Sequence, residues 1–405
     1  MPHLTDDPRR QWAGALGEPR TPEGQNLIAA LAPHLPRMAA AAAEHDGAGT
    51  FPVESFKQMT ADGILAATVP QRFGGMGVHS VHDLCLAIMR IAEADASIAI
   101  CLHMQLSRGI TMRYELNRGN PAGQVLAERL LRLMGSGEAI ISGALKDAGT
   151  VTELRPAGAG LHALTGRKIL VSMAPFATHF VVSARTRPAT GLPHAVSVFL
   201  SARTPGLTVP GNWSGMGMRA SASTEVIFDD CHVPETDLFL RGPLGVRDEA
   251  AMAGQTVSSI GLLGVYAGIA QSARDITVAG LIKRGSSAAA VRTQVAEVDA
   301  KLYSMRTALA AALDNADRYA EQALPDPDER GRIMMAPFQY AKLIVNRCAA
   351  AVVEECMTLT GGASFTDGHP LARRYRDVRA GWFMQPFTYA DAVDRLSAWS
   401  LNLDY

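Results

Sequence analysis

The sequence predicts an α+β protein in three consecutive parts: a helical segment, an antiparallel β segment and a bundle of four helices. Three observations carry that reading. Apolar residues recur at helical spacing from residue 21 to about 134. From 139 to about 240 the period shortens to two, in short runs broken by glycine and proline, with no helical crossover between them. From 250 onward the helical period returns. The corresponding boundaries are 1–135 for an N-terminal α-helical domain, 136–240 for a middle antiparallel β domain and 241–405 for a C-terminal four-helix bundle.

Each part has its own signals. Thr21-Pro22-Glu23 is a helix start, with a capping hydroxyl, a proline at the first helical position and an acid in the first turn. Leu27, Leu31 and Leu35 continue from it, and 51–65 and 82–94 repeat the spacing. PQRFGGMG at 70–77 is a glycine-rich turn, and no strand–turn–helix with a full dinucleotide fingerprint surrounds it. In the middle part, 139–145, 161–164, 168–172, 179–184, 195–200 and 224–232 read as strands. In the last part, Val295, Val298, Leu302, Met305, Leu309, Leu313 and Ala316 trace one face of a long helix. Its partners are 257–280 and 337–359, and a loop at 324–331 separates two of the helices. Gly261, Gly264 and Gly268 fall at helical spacing and suit a close helix approach.

At 405 residues, 48% apolar and 19% charged, the chain can bury a large core. A net charge of −1 gives no electrostatic case for nucleic acid or an acidic membrane. No run of about 18 apolar residues predicts a membrane span, and the first residues lack a signal-peptide core. A cytoplasmic protein is expected. Cys85, Cys101, Cys231, Cys348 and Cys356 form no CxxC pair; they read as reduced core thiols, and no metal site is predicted.

Four motifs carry candidate chemistry. The stretch WSGMGMRASASTEVIFDDCHVP at 213–234 is a glycine- and serine-rich loop running into a strand. LTGRKILVSM at 164–173 is a strand ending in a hydroxyl, Ser172, followed by Met173. LTGGASF at 359–365 is a helix C-cap with Gly361 and Gly362. RRYRDVRAGWFMQPFTYAD at 373–391 carries a dense set of arginines around Asp377. Together with the helix–sheet–helix order, these stretches resemble the acyl-CoA dehydrogenase superfamily, flavoproteins that oxidise acyl thioesters and include an oxygen-activating branch.

The resemblance implies a flavin, FAD with FMN or a transiently bound reduced flavin as the alternative. It places Ser172 at the flavin N5, with Leu170 where the family has a tryptophan. The loop ISGALKDAGTVTE at 141–153, which contains Leu145, takes the place of the family's flavin- and thioester-lining loop. Gly361 and Gly362 match a turn that meets the dinucleotide across a subunit interface, and Arg284 is the nearest match to the family's pyrophosphate clamp. A homodimer or homotetramer follows, with a flavin reductase or electron-transfer protein as partner.

Arg376 and Arg379, flanking Asp377, are expected to form ion pairs that pin the end of the bundle. The family's catalytic glutamate is replaced by Gln385, an amide that cannot act as a base. The other position used by relatives falls near Ser258 and Ser259, again without a carboxylate. Asp391 and Asp394, two carboxylates close by in sequence, could stand in, and His103 could supply an imidazole from the N-terminal part. Against the oxygen-activating branch, Pro386 matches a proline and Met384 stands where a histidine would. Three readings stay open: an oxidoreductase acting on a thioester of coenzyme A or a carrier protein, a two-component monooxygenase fed with reduced flavin, and a non-catalytic member.

Overall fold

The computed structural model describes residues 16–187, 191–211, 213–245, 248–322, 324–383 and 388–403. Helices α1 (Pro22–Leu31), α2 (Leu35–Ala48), α3 (Val53–Ala61), α4 (Val81–Ala94), α5 (Ala96–Arg118) and α6 (Pro121–Gly135) come first. The start of α1 is the predicted one: Thr21 Oγ1 accepts the Gly24 N–H at 3.0 Å and Pro22 opens the helix. Asp95 caps α5 through the N–H groups of Ser97 and Ile98, and Asn120 caps α6.

The sheet follows, with β1 (Ile141–Ala144), β2 (Lys146–Asp147), β3 (Glu153–Gly158), β4 (Leu161–Val171), β5 (His179–Thr186), β6 (His194–Ser201), β7 (Leu207–Thr208), β8 (Thr224–Pro234) and β9 (Leu238–Pro243). The strand order is β7-β8-β4-β3-β5-β6-β9, with β1 beside β5 and β2 beside β4. Most pairings are antiparallel, but β1 and β3 both pair parallel to β5, so the sheet is mixed. The two strands predicted at 161–164 and 168–172 are one strand, β4, whose register against β8 shifts between Leu164 and Gly166 and again between Lys168 and Val171. The second shift is a bulge at Leu170, which has a φ of 59°.

The last part holds α7 (Ala251–Ser259), α8 (Leu263–Lys283), α9 (Ala289–Glu321), α10 (Pro327–Thr360), α11 (Pro370–Val378) and α12 (Tyr389–Leu401). Helix α8 packs on α4 through its predicted small-residue face. A Cβ on Gly264 would lie 2.4 Å from the Cys85 carbonyl oxygen, and one on Gly268 would lie 2.3 Å from that of Met89. The first and last parts therefore share one apolar core. The sheet has a core of its own, and a third cluster joins α5 and α6 to β1, β5, β6 and β9. The span Ala251–Lys283 is apolar enough by composition to cross a membrane, but 78% of its most apolar window is buried inside the protein, as in a core helix. All five cysteines are free thiols, four of them buried.

Candidate active site

A cleft of about 250 Å³ lies where the three parts meet. Ile100 and Met104 of α5 form one wall. The ends of β1 and β4 form the second, with Gly143, Leu145, Leu170 and Ser172. The loop from Trp213 to Met218 and the residues after α11, including Arg379 and Phe383, complete it. The lining is mostly apolar, and among the described residues that line it there is no aspartate or glutamate.

The backbone around the cleft is unusual. Seven described non-glycine residues have positive φ, and four of them sit here: Leu170 and Met218 in the lining, Met173 and Ala222 next to the lining residues Ser172 and Ser223. Left-handed backbone at ordinary residues costs energy and is held only where surrounding contacts over-determine it. The contacts are visible. Met173 N–H donates to the Ser221 carbonyl at 2.8 Å. Ser142 Oγ donates to the Ser172 carbonyl at 2.7 Å.

The Trp213–Met218 loop is pinned to α11. Met218 N–H donates to Asp377 Oδ1 at 2.6 Å, and Trp213 Nε1 donates to the Met218 carbonyl at 3.0 Å. Gly217 lies flat on α11: a Cβ there would come within 2.4 Å of the Arg376 carbonyl oxygen. Asp377 is fully buried, and burial pushes its carboxyl up to about 6 despite the Met218 N–H and the nearby Arg374. The expected pairing around Asp377 takes a different form. Arg376 instead forks onto Asp46 of α2, at 2.6 and 3.1 Å, while Arg379 donates to Tyr375 Oη at 2.9 Å and stacks on its ring.

The second wall is held from behind by Lys168. Its ammonium is buried and donates to Asp147 Oδ1 at 2.7 Å, to the Leu145 carbonyl at 3.1 Å and to Ser183 Oγ at 3.1 Å. These bonds fix residues 145–147 against β4.

Of the predicted site residues, Ser172 and Leu145 are brought together in the lining, with Met173 buried directly behind Ser172. The others lie elsewhere. His103 is buried on another face of α5, against Gly261, and neither ring nitrogen has a partner among the described residues. Burial, with Arg108 nearby, lowers it to about 3, so the ring is neutral. Asp391 is exposed and forms the capping box of α12 with Thr388, whose hydrogen bonds hold its carboxyl below the usual range. Ser258 and Ser259 bond to each other at 3.2 Å at the end of α7, outside the lining. Arg284, Gly361 and Gly362 share one end of the bundle, where Thr277 of α8 bonds the Cys356 carbonyl of α10. Gln385, Met384 and Pro386 lie outside the described residues. The residues that sequence reasoning did not name individually are Ser223, Ser221, Gly143 and Trp213; the motifs at 213–234 and 141–153 that contain them were the signals.

The residues present fit a flavin ring. Ser172 Oγ lies 2.8 Å from Ser223 Oγ, which lies 2.6 Å from Ser221 Oγ. Among the described residues three hydroxyl protons serve two bonds, which leaves one for a further acceptor such as a ligand. With Ser172 and Ser223 both in the lining, a planar heteroaromatic ring would find apolar faces and a donor at its edge.

Comparison with known proteins agrees with this architecture. Sequence models of the acyl-CoA dehydrogenase N-terminal, middle and C-terminal domains match residues 31–123, 143–231 and 261–385. The chain is 53% identical to an L-evernosamine nitrososynthase of a Micromonospora species, over all of this chain and 96% of that one. It is 51% identical to the amino sugar nitrososynthase DnmZ of Streptomyces peucetius, over 99% of both. Among solved structures, KijD3 in complex with FMN and dTDP-3-amino-2,3,6-trideoxy-4-keto-3-methyl-D-glucose superposes with a TM-score of 0.94 at 50% identity, over 96% of each chain. FMN-bound TdsC of Paenibacillus sp. A11-2 shares the fold, with a TM-score of 0.81 at 20% identity over 93% of this chain and 97% of that one. The chain thus belongs to the acyl-CoA dehydrogenase family and is an enzyme of its flavin oxidoreductase fold.

Proposed function

We propose that this enzyme uses reduced FMN and dioxygen to oxidise the amine of a nucleotide-linked amino sugar. The observation that carries the proposal is the cleft itself: a hydroxyl-edged apolar slot without a carboxylate among its described lining residues. Desaturation of an acyl thioester needs a base to take the α-proton. Oxidation of an amine by an oxygen donor needs no abstraction of a carbon-bound proton, because the nitrogen, once its ammonium proton has passed to solvent, attacks with its own lone pair. The nitrososynthases that match along the whole chain, and the FMN and amino-sugar nucleotide bound to KijD3, support the same reading.

In this reading Ser172 and Ser223 hold the polar edge of the flavin, and Leu145, Leu170 and Ile100 exclude water from its faces. Reduced flavin supplies two electrons: one oxygen atom of dioxygen goes to the amine nitrogen and the other leaves as water. A flavin reductase supplies the reduced cofactor. An FMN ligand has no pyrophosphate bridge, so Arg284, Gly361 and Gly362 receive no cofactor role.

The test is to supply the purified protein with FMN, NADH, a flavin reductase and a thymidine-diphospho amino sugar under labelled dioxygen. Mass spectrometry should find one labelled oxygen on the amine nitrogen. Substrate recovered without label, with an acyl-CoA desaturated in a parallel reaction, overturns the proposal.

A further inference from the structure

Ile100, Met104 and Arg108 are spaced four residues apart on α5 and so share one helix face. The first two line the cleft, and Arg108 extends that face by one turn. Its Nη2 lies 3.7 Å from the point where a Cβ on Gly143 would stand, and Met104 Sδ lies 3.9 Å from the same point. Gly143 is itself part of the lining. The guanidinium therefore borders the cleft where the sheet offers no side chain to cover it.

Among the described residues nothing answers this charge: no carboxylate pairs with Arg108, and its buried Nε has no acceptor. The acid two turns further along α5, Glu115, is taken by Arg241 at 2.8 Å. Burial, and then repulsion by Arg241, pull the guanidinium down to about 10. An arginine has five N–H donors and no acceptor of its own, so leaving it partly desolvated and unpaired is costly. The cost is recovered when an oxyanion arrives, since guanidinium and phosphate meet through paired, charge-assisted hydrogen bonds.

We propose that Arg108 binds the diphosphate of the nucleotide-sugar substrate at the α5 end of the cleft. The inference rests on the substrate class proposed above. The alternative source of a phosphate is the flavin, but the candidate flavin edge is at Ser172 and Ser223. Of the two guanidiniums in the lining, Arg376 is held by Asp46, whereas Arg379 carries no acid among the described residues and is the one left to meet a flavin phosphate.

Calorimetric titration of the full chain tests this with three probes: thymidine diphosphate, thymidine and FMN. The wild type should bind thymidine diphosphate more tightly than thymidine. Arg108→Gln should weaken thymidine diphosphate by about 10- to 100-fold, as for a lost charged hydrogen bond, and leave thymidine and FMN little changed. Arg108→Lys should restore part of the loss. Equal affinities of the wild type for thymidine and its diphosphate would overturn the site, as would an unaffected or equally weakened pair in Arg108→Gln. Loss of FMN binding alone would assign the arginine to the flavin and overturn the proposal. Ligand-free Arg108→Gln should melt no lower than the wild type; a clear drop would show a structural partner and count against the site. Arg108-dependent diphosphate binding without oxidation of any amino-sugar nucleotide would retain the site and refute the substrate class.

Discussion

The carboxylate of Asp377 accepts the backbone N–H of Met218 at 2.6 Å, joining two positions 159 residues apart in the chain. This bond ties the glycine-rich loop of the middle part to α11 and holds Met218 in a left-handed conformation at the cleft.

Asp377 gives a pH-dependent stability of unusual sign. Its folded value, about 6, lies above the 3.8 of an ordinary aspartate. Both states are protonated below the lower value. Between the two values the unfolded chain releases its proton first, so stability falls as pH rises, and above about 6 the native state carries the full cost of a buried anion. Asp377→Asn keeps an acceptor for Met218 N–H and removes that cost. The variant should gain stability relative to wild type on going from pH about 4 to about 7.5, measured by urea unfolding. A constant difference across that range would contradict the assignment.

Ser172→Ala should leave the fold intact and lower FMN affinity. It removes one end of the Ser172–Ser223–Ser221 chain. A net hydrogen bond of about 1 kcal/mol corresponds to about a five-fold loss. Fluorescence titration with FMN measures it, and an unchanged dissociation constant removes Ser172 from the flavin site.

Leu170 sits at φ 59° and is half exposed in the cleft. Glycine accepts this backbone freely, while a β-branched residue is a steric outlier there. Leu170→Val should therefore lower stability by about 1–2 kcal/mol. Leu170→Gly should melt no lower than wild type but turn over more slowly, because the ring loses an apolar wall. Paired melting and turnover measurements separate the two effects.

Asp147 and Lys168 are unequal partners: the lysine side chain is 1% exposed and the aspartate 35%. Asp147→Ala strands a buried cation and should cost about 2 kcal/mol, below the loss typical of a fully buried pair because water reaches Asp147. Burial alone would raise the Asp147 carboxyl, but hydrogen bonds from Lys168 and Thr152 outweigh it and hold the group below 3.8. The stabilisation is therefore present above that value and disappears as the pH falls through the folded one. The gap between wild type and variant in urea unfolding should close in acid.

Much of this fold was legible in the residues, and the exceptions have physical causes. Thr21-Pro22 marked a helix start because capping and proline chemistry are local. Strand β3 escaped notice because Pro156 and Gly158 interrupt it and most of its residues are exposed. The parallel pairing of β1 and β3 with β5 is invisible to a period of two, which reports the two faces of a strand and not its neighbours. Ser172 and Leu145 could be placed in the cleft by motif. Asp377 could not be read correctly, because its main partner is a backbone N–H whose position depends on a distant loop. Arg108 gave no signal at all: its isolation is a property of the packed structure.

The cleft draws its walls from α5, from the ends of β1 and β4, and from the loop and arginines held by α11. No fragment of the chain contains it. Ligand affinity is consequently linked to cooperative assembly of all three parts, and bound FMN should raise the melting temperature with its concentration. A protease cut that frees any one part should release the ligand with it, so loss of bound flavin would serve as an early sensor of partial unfolding.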